Sequence, residues 1–448
     1  MHNKKNIAIV GTGIAGLSAA WLLAQRHQVT VFERASWTGG HTNTVDVELD
    51  GRKIPVDTGF IVYNEKNYGN LVALFRHFDV ETQTGDMSFG VSLDGGRLEY
   101  SSDVPRGLFG QPRNLMRPGF WAILRDIRRF YAQAPVDLAN GALAGLTLGQ
   151  YLQRENYGRD FARDHLLPMG AAIWSARAED MESYPAESFI RFFESHDLLN
   201  LQNRMKWRTV SGGSRSYVEK LTASFSDRIY RNCPVVKVAR TGAGVVLEDG
   251  QGRRHSFDHV VMATHADDTL DMLSDASLDE RNILGAIRYS ENRAYLHHDA
   301  SLMPKRKSVW ASWNYLADTR SESARPPEVS YWLNRLQNLP AKQNVFLTLN
   351  PATPPEEARR VAEFNYHHPL FDSAALSAQP ELWRLQGHRN TWFCGSYFGY
   401  GFHEDALQSG LAVGEVLGDV SRPWNLPYPS DRMQLPLAEP EEPLLAAQ

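Results

Sequence analysis

The chain has 448 residues, 42% of them hydrophobic, and a formal net charge of −5. This length supports a large buried core and is long for one domain, so two domains are expected. The net charge gives no general attraction to nucleic acid, and two cysteines are too few for a disulfide scaffold, which favours a reducing cytosol.

The first forty residues predict a nucleotide-binding turn. An apolar strand over residues 7–10 runs into a glycine triplet and then into an apolar helix. Gly11 permits the turn, Gly13 lets backbone amides approach a pyrophosphate, and the helix N-terminus turns its positive dipole towards that anion. A second strand, residues 29–33, ends in a carboxylate at roughly the 20-residue spacing that holds a ribose hydroxyl. The predicted cofactor contacts in this region are Gly11, Gly13, Ile14, Ala15, Gly16, Glu33 and Arg34.

A second glycine pair bears on which dinucleotide is bound. Gly39-Gly40-His41-Thr42 resembles the second glycine pair of the flavin-dependent amine oxidase and phytoene desaturase superfamily, in which a strand bearing Glu leads into Gly-Gly-Arg. His41 stands where that superfamily usually places arginine, so a permanent cation is missing beside the pyrophosphate. The resemblance implies FAD, bound non-covalently, with Gly39, Gly40, His41 and Thr42 around it. An ordinary pair of loop glycines is the alternative.

The C-terminal part extends the same resemblance. An apolar strand over residues 391–394 stops at glycine, and residues 402–414 have a helical pattern rich in small residues. In the superfamily this strand ends by the ribityl chain, and the helix N-terminus stabilises the negative charge of a reduced flavin. Ser396 occupies a position that is often acidic in the superfamily. The flavin contacts that the resemblance implies here are Gly395, Ser396, His403, Glu404, Asp405 and Ala406.

The middle of the chain fits the same plan. Residues 234–264 alternate short β-rich runs with turns, which predicts a β-meander that feeds a last parallel strand. The adjacent pairs His297-His298 and His367-His368 lack the spacing of a helical metal site, so no metal is predicted. The resemblance implies further cofactor contacts at Val236, Ala263, Asp57, Thr58, Gly59 and Phe60.

The predicted fold class is α/β: a Rossmann-like FAD-binding domain of the glutathione reductase type with a β-meander, plus an inserted α+β substrate domain. The FAD-binding domain is expected over residues 1–74, 205–287 and 384–422. The substrate domain takes residues 75–204, which are helical in pattern, and residues 288–383, which mix strands and loops. Residues 423–448 are expected to form a peripheral or mobile tail.

His403 and Glu404 are the candidate catalytic residues. Either could donate or accept a proton beside the flavin, because histidine titrates near physiological pH and a helix N-terminus holds carboxylates ionised. Structural roles are an equal alternative, in which His403 or Asp405 caps the last helix and Glu404 binds backbone amides. Asp57 is expected to fix a loop rather than to take protons.

The substrate prediction rests on resemblance. Residues 57–64 and 401–405 look most like a bacterial group associated with enzymes that modify membrane fatty acids. This implies hydride transfer between a carbon of an unsaturated or methyl-branched acyl chain and flavin N5. One alternative is an amine oxidase using oxygen, which would want an aromatic cage and commonly a lysine by N5. Another is a protein that binds FAD without turnover, and the electron acceptor is left open.

Two basic segments bear on location. Residues 111–131 have an apolar helical face opposite several arginines, and residues 303–310 pair a basic cluster with a tryptophan. Each segment is either an ordinary surface element or a dock on anionic lipid, and the second interpretation gains if both lie on one side of the protein. No uninterrupted run of about 20 apolar residues appears, so no membrane span is predicted. The expected location is cytoplasmic, with peripheral contact at the inner membrane face as the open alternative.

Overall fold

The computed structural model describes residues 4–174, 177–200, 205–319 and 328–433. Its strands are β1 (Asn6–Val10), β2 (Gln28–Phe32), β3 (Thr44–Leu49), β4 (Arg52–Asp57), β5 (Tyr63–Asn64), β6 (Thr82–Thr84), β7 (Phe89–Leu93), β8 (Leu98–Ser101), β9 (Trp207–Val210), β10 (Ile229–Tyr230), β11 (Val235–Thr241), β12 (Gly244–Asp249), β13 (Arg254–Phe257), β14 (His259–Met262), β15 (Arg288–His297), β16 (Trp313–Ala317), β17 (Glu328–Trp332), β18 (Phe346–Leu349), β19 (Arg360–Leu370) and β20 (Thr391–Phe393).

The helices connect these strands and form a separate layer in the middle of the chain. They are α1 (Ile14–Leu23), α2 (Gly69–His77), α3 (Pro118–Ala139), α4 (Leu148–Arg154), α5 (Arg159–Phe161), α6 (Leu167–Trp174), α7 (Ala178–Glu182), α8 (Ala186–Ser195), α9 (Arg215–Thr222), α10 (Ala266–Met272), α11 (Leu278–Leu284), α12 (Leu333–Leu336), α13 (Ser373–Ala378) and α14 (His403–Gly418). None of these helices combines the length and apolar character that a bilayer span requires.

A parallel sheet carries both ends of the chain. Its order is β10–β2–β1–β14–β20, and every pairing in it is parallel. β1 and β14 are almost wholly buried apolar runs, as expected of strands covered by structure on both faces. The antiparallel strands β11, β12 and β13 form the meander that the sequence predicts, directly before β14.

Helices α1 and α14 approach each other closely enough for their backbones to touch. A Cβ atom at Gly410 would lie 2.1 Å from the carbonyl oxygen of Ala15, and one at Gly414 would lie 3.1 Å from the side chain of Leu22. Small residues on α14 therefore permit a contact that larger residues would prevent. This contact fixes the start of α14 relative to the glycine turn before α1.

A second sheet and a helical layer form the other large core. The sheet order is β19–β15–β18–β17–β16–β7–β8, and residues of α3 to α8 share its hydrophobic core. The helical pattern predicted for residues 75–204 is wrong at its start, because β6, β7 and β8 lie between residues 82 and 101. β7 alternates apolar residues with Gly90 and Ser92, and it is fixed by parallel pairing with β16, a partner far along the chain.

The predicted tail also differs from the structure over its first residues. Trp424 stacks on Trp21 with ring centroids 5.8 Å apart, and Arg432 donates a hydrogen bond to Asp405. These aromatic and charged contacts hold residues 424–433 against the body of the protein, although several of their side chains, such as Tyr428, are exposed. The remainder of the predicted tail, residues 434–448, lies outside the described residues.

We expect Gly410→Ala to destabilise the protein, because the added methyl group would meet the backbone oxygen of Ala15. Overpacking of this kind lowers the free energy of unfolding by about 1–3 kcal/mol. Gly242→Ala is the matched control, since no atom lies within 4 Å of a Cβ there. Thermal unfolding of both variants checks the contact, and equal midpoints would contradict it.

Candidate functional site

The two predicted glycine motifs meet at the carboxyl edge of the parallel sheet. A Cβ atom at Gly40 would lie 3.0 Å from the Cα of Gly13, and one at Gly11, where φ is +104°, would lie 2.7 Å from the carbonyl oxygen of Ala263. Only glycine fits at either position. The backbone amides at the start of α1 therefore face a surface free of side chains, which suits the approach of a phosphate group.

Glu33, which directly follows β2, joins the two glycine motifs through hydrogen bonds. Its buried carboxylate accepts hydrogen bonds from the backbone amides of Thr12, at 3.0 Å, and Ala35, at 2.8 Å. The hydroxyl of Thr12 in turn accepts a hydrogen bond from the amide of Gly39 at 3.1 Å. The neighbouring Arg34 is exposed and forms an ion pair with Asp268, 3.2 Å away.

Many of the residues predicted to contact the cofactor are half-buried. Gly40 lies close to Gly13, and Gly59 lies close to the carbonyl oxygen of His41, and we call these half-buried residues the rim. Such a rim is expected of residues that border an opening large enough for a dinucleotide. The half-buried members are Gly11, Gly13, Gly40, His41, Gly59, Ala263, Ser396 and His403.

His41 lies on this rim among other histidines. Its Nε2 atom is buried and has no hydrogen-bond partner among the described residues. The His41 ring lies 5.0 Å from Tyr366, 5.6 Å from His368 and 6.4 Å from His265. Burial first, and then the nearby His265 and His367, lower the pKa of His41 to about 4. An unpartnered nitrogen beside the glycine turn fits an anion such as the pyrophosphate of FAD.

The surrounding histidines were not predicted as site residues. The pKa values of His265 and His368 are lowered to about 3, chiefly by burial, and the Arg34 cation contributes to the shift of His265. His367 faces His265 at 5.9 Å, so both members of the adjacent pair on β19 reach this cluster from different sides. Neither their spacing nor any other sequence pattern marked these histidines as site residues.

Asp57 joins three parts of the chain, as the expectation of a loop-fixing role requires. Its carboxylate accepts hydrogen bonds from the backbone amide of Ser214 at 2.9 Å, from the side chain of Gln337 at 3.0 Å and from the hydroxyl of Thr44. Burial raises the pKa of Asp57 to about 6, while the Thr44 and Ser214 hydrogen bonds oppose that shift. The turn before α9, the β3–β4 hairpin and the residue after α12 are held at one point.

The expected ring end of the site is built on Phe60 and His403. Their rings stack in parallel with centroids 3.8 Å apart. His403 Nε2 shares a hydrogen bond of 2.7 Å with the hydroxyl of Tyr217, which shares another of 2.7 Å with the hydroxyl of Thr42. Desolvation lowers the pKa of His403 to about 3, so the ring is neutral at physiological pH. Tyr217 was not predicted, because it lies on α9, far from both motifs in sequence.

Glu404 and Asp405 make the contacts expected of structural residues, which is the alternative to a catalytic role. Glu404 accepts hydrogen bonds of 2.9 Å from the backbone amides of Asn70 and Leu71, at the start of α2. Asp405 accepts from the amide of Phe402 at 2.7 Å and from the guanidinium of Arg432 at 3.1 Å. Burial raises the pKa of both carboxyl groups, and Arg432 opposes the shift in each.

The remaining predicted contacts are distributed around this framework. Thr58 shares a 2.8 Å hydrogen bond with the hydroxyl of Tyr366, and the amide of Gly395 donates to Ser409 at 2.9 Å. Ala406 is buried in α14. Val236 is exposed at a register shift in β11, and no described contact brings it to the rim, so its adenine contact stays a prediction.

One group of side chains has metal-ligand atoms close together. The ligand atoms of His265, Asp267 and Asp268 lie within 4.8 Å of one another. Arg34 already pairs with Asp268 at 3.2 Å and places a cation at the same position. The prediction of no metal stays a prediction.

Comparison with known proteins gives matches over most of the chain. The family model described as flavin containing amine oxidoreductase matches residues 14–296. A Mycobacterium tuberculosis protein described as a flavin-containing monoamine oxidase is 26% identical over 259 residues, which are 55% of this chain and 54% of that protein. A carotenoid phi-ring synthase of Streptomyces griseus is 34% identical over 141 residues, 30% of this chain and 26% of the synthase. The chain thus spans about half or less of these relatives.

Solved structures match over greater lengths. A putrescine oxidase double mutant has a TM-score of 0.65 and 15% identity, and the match covers 92% of this chain and 99% of the oxidase. A fatty acid isomerase of P. acnes, described as producing CLA, has a TM-score of 0.63 and 17% identity over 93% of this chain and 98% of the isomerase. At these identities the likeness shows the fold alone, and it confirms the predicted fold class.

Since His41 is neutral when no anion is near, we expect FAD binding to be accompanied by proton uptake. A pyrophosphate raises the pKa of His41 above its value of about 4 in the free protein, so FAD affinity falls as pH rises through the higher pKa. His41→Arg supplies a permanent cation, and its affinity should be nearly independent of pH. Quenching of flavin fluorescence between pH 5.5 and 8.5 measures the FAD affinity of the unmodified protein and of His41→Arg.

The exposed His388→Gln serves as the control for general titration effects. It should keep the pH dependence of the unmodified protein. A dissociation constant for FAD that does not change with pH in the unmodified protein would contradict the role of His41.

Proposed function

The chain belongs to the family of flavin containing amine oxidoreductases, and on that premise we propose that it is an FAD-dependent oxidoreductase acting on a lipid. The family match agrees with the predicted superfamily and its flavin cofactor. The proposed reaction moves a hydride between flavin N5 and a carbon of an unsaturated or methyl-branched acyl chain. With this substrate we expect the protein to work in the cytoplasm, at the inner face of the membrane that holds the acyl chains.

The proposal depends on one observation: the buried carboxylates near the site already have hydrogen-bond or ion-pair partners within the protein. An ammonium group in a buried site needs a paired carboxylate or an equivalent partner. Asp57 is engaged by Ser214, Thr44 and Gln337. Glu404 is engaged by two backbone amides, and Asp405 by an amide and Arg432. Each of these carboxylates is already occupied, which favours an uncharged substrate group over an amine.

The positions of the lysines also favour a lipid over an amine as the substrate. Amine oxidases of the superfamily commonly place a lysine by N5. Within the described ranges every lysine is exposed except the half-buried Lys5, whose amino group donates to the carbonyl oxygen of Leu417 at the C-terminal end of α14. Lys5 thus lies at the opposite end of that helix from His403, and no lysine is among the charged groups that shift the pKa of His403.

The wall next to His403 is aromatic and continues into the apolar core. Phe402 stacks on Phe192 with centroids 5.0 Å apart, and Phe192 lies 6.2 Å from Tyr400 and 4.7 Å from Trp174. An aromatic pair also suits a cation, so this wall alone does not separate the two substrates. An acyl chain against it gains about 0.8 kcal/mol for each CH₂ group that leaves water.

The mechanism assigns binding and proton handling to the protein. The flavin, when bound, supplies the hydride acceptor or donor. The N-terminus of α14 stabilises negative charge at the ring end, and the aromatic wall excludes water. His403 holds or moves a proton at Nε2 through its hydrogen bond with Tyr217, and Thr42 continues that chain.

An anaerobic titration of the flavin-loaded protein tests the substrate class. We expect unsaturated or methyl-branched phospholipid in detergent micelles to bleach the flavin absorption band, and a panel of primary amines and polyamines to leave it unchanged. Bleaching by an amine alone would overturn the proposal in favour of an amine oxidase. If dithionite reduces the flavin but neither substrate class does, and neither class reoxidises it, the protein binds FAD without turnover on these compounds.

Two substitutions separate catalytic from structural roles at the ring end. His403→Gln should slow flavin reduction by roughly 100-fold, the usual size of a general acid–base contribution, with little change in unfolding temperature. Glu404→Leu should instead lower the unfolding temperature, because two buried amides lose their acceptor. Stopped-flow reduction and thermal unfolding are measured on both, and the reverse pattern would move the catalytic assignment to Glu404.

A further inference from the structure

Three segments that are distant in sequence meet on one surface of the seven-stranded sheet. They are the β7–β8 turn (residues 94–97), the segment before α3 (residues 110–117) and a turn at residues 304–308, and we call their shared face the basic surface. Arg117 donates to the carbonyl oxygen of Arg97 at 2.8 Å, and Arg113 donates to the same oxygen at 3.3 Å. Arg306 donates to the neighbouring carbonyl oxygen of Gly96 at 3.3 Å. The two basic segments of the sequence therefore lie on one side of the protein.

The charge of the basic surface is not balanced by its own acids. Arg97 pairs with Asp94 and Arg306 pairs with Glu99, but the side chains of these two acids are only 4% and 0% exposed. The other four cations, Arg113, Arg117, Lys305 and Lys307, have no ion-pair partner among the described residues, so the charge presented to solvent is positive. Desolvation and then repulsion from Arg113, Arg97 and Arg306 lower the pKa of Arg117, as expected of crowded cations. The cations of the surface are Arg97, Arg113, Arg117, Lys305, Arg306 and Lys307.

Apolar side chains project from the middle of these cations. Leu115, Met116 and Trp121 are 49%, 81% and 48% exposed. Trp121 is held in place by a 2.9 Å hydrogen bond from its indole nitrogen to the carbonyl oxygen of Leu115, and by Phe109 at 6.0 Å. Exposed leucine, methionine and tryptophan next to arginines and lysines are the features of a protein surface that enters the headgroup region of a bilayer.

We infer that the basic surface docks the protein on a bilayer containing anionic phospholipids, with Met116 and Trp121 inserted between the headgroups. Charge complementarity favours an anionic partner, while the chain as a whole carries −5 and would be repelled by one, so the attraction is local to this surface. The exposed apolar tip favours a bilayer over a nucleic acid, because phosphate backbones offer nothing for Met116 to contact. The inference does not depend on which substrate the flavin site takes.

Vesicle sedimentation with the flavin-loaded protein tests the inference. Vesicles contain phosphatidylcholine alone or with 30% phosphatidylglycerol, in about 0.1 M salt, where charges act over roughly 10 Å. We expect binding to the anionic vesicles only. Arg113→Glu combined with Lys305→Glu should weaken that binding at least 25-fold, since each cation near an anionic surface contributes about fivefold. Met116→Ser should weaken binding to the anionic vesicles several-fold, and this effect should remain when the salt concentration is raised.

Matched controls remove a cation and an apolar side chain elsewhere. Lys237→Glu on β11 and Leu278→Ser on α11 are both exposed, and both should bind as the unmodified protein does. Spin-labelled lipid should quench tryptophan fluorescence in the unmodified protein and less in Trp121→Phe.

Two results would overturn the inference. One is equal vesicle binding by the double glutamate variant and the unmodified protein. The other is binding to heparin or RNA without binding to anionic vesicles, which would indicate an anionic macromolecule as the partner. Flavin reduction by micellar lipid is measured separately, so failure of the substrate proposal and failure of membrane docking are distinguishable.

Discussion

The backbone contact between α1 and α14 is the constraint on which the site depends. To bind a dinucleotide in one conformation, the turn at its pyrophosphate and the helix at its ring must be held a set distance apart. The absence of a side chain at Gly410 lets the carbonyl oxygen of Ala15 touch the α14 backbone, which fixes that distance. The glycine turn before α1 and His403 at the start of α14 are positioned by this single helix pair.

The ionisable groups around the site are held by hydrogen bonds and ion pairs or are kept neutral by burial. The buried carboxylates of Glu33, Asp57 and Glu404 are satisfied by backbone amides and neutral side chains, and Asp405 pairs with Arg432. Desolvation keeps the surrounding histidines neutral. When a flavin gains an electron pair, the dipole of α14 provides a favourable electrostatic influence on the ring.

The sequence predicts the parts of the site that carry local signals. The glycine turn, Glu33, the second glycine pair and the last helix each have a pattern within a few residues, and the structure brings them together. Tyr217, Arg432 and His265 have no such pattern, because they reach the site only through the packing of α9, the C-terminal segment and α10. β7 was missed for the same reason, since its pairing with β16 is fixed by tertiary structure.

The contact of Arg432 with Asp405 has a consequence for how the protein is made. Synthesis runs from the N-terminus, so the glycine turn leaves the ribosome long before α14 and Arg432 do. The first βαβ unit can fold early, but the ring end of the site and its buried acids are complete only when the segment that carries Arg432 has docked. We expect FAD to be captured only by a chain that already includes α14 and Arg432, so flavin binding follows the synthesis of both ends of the site.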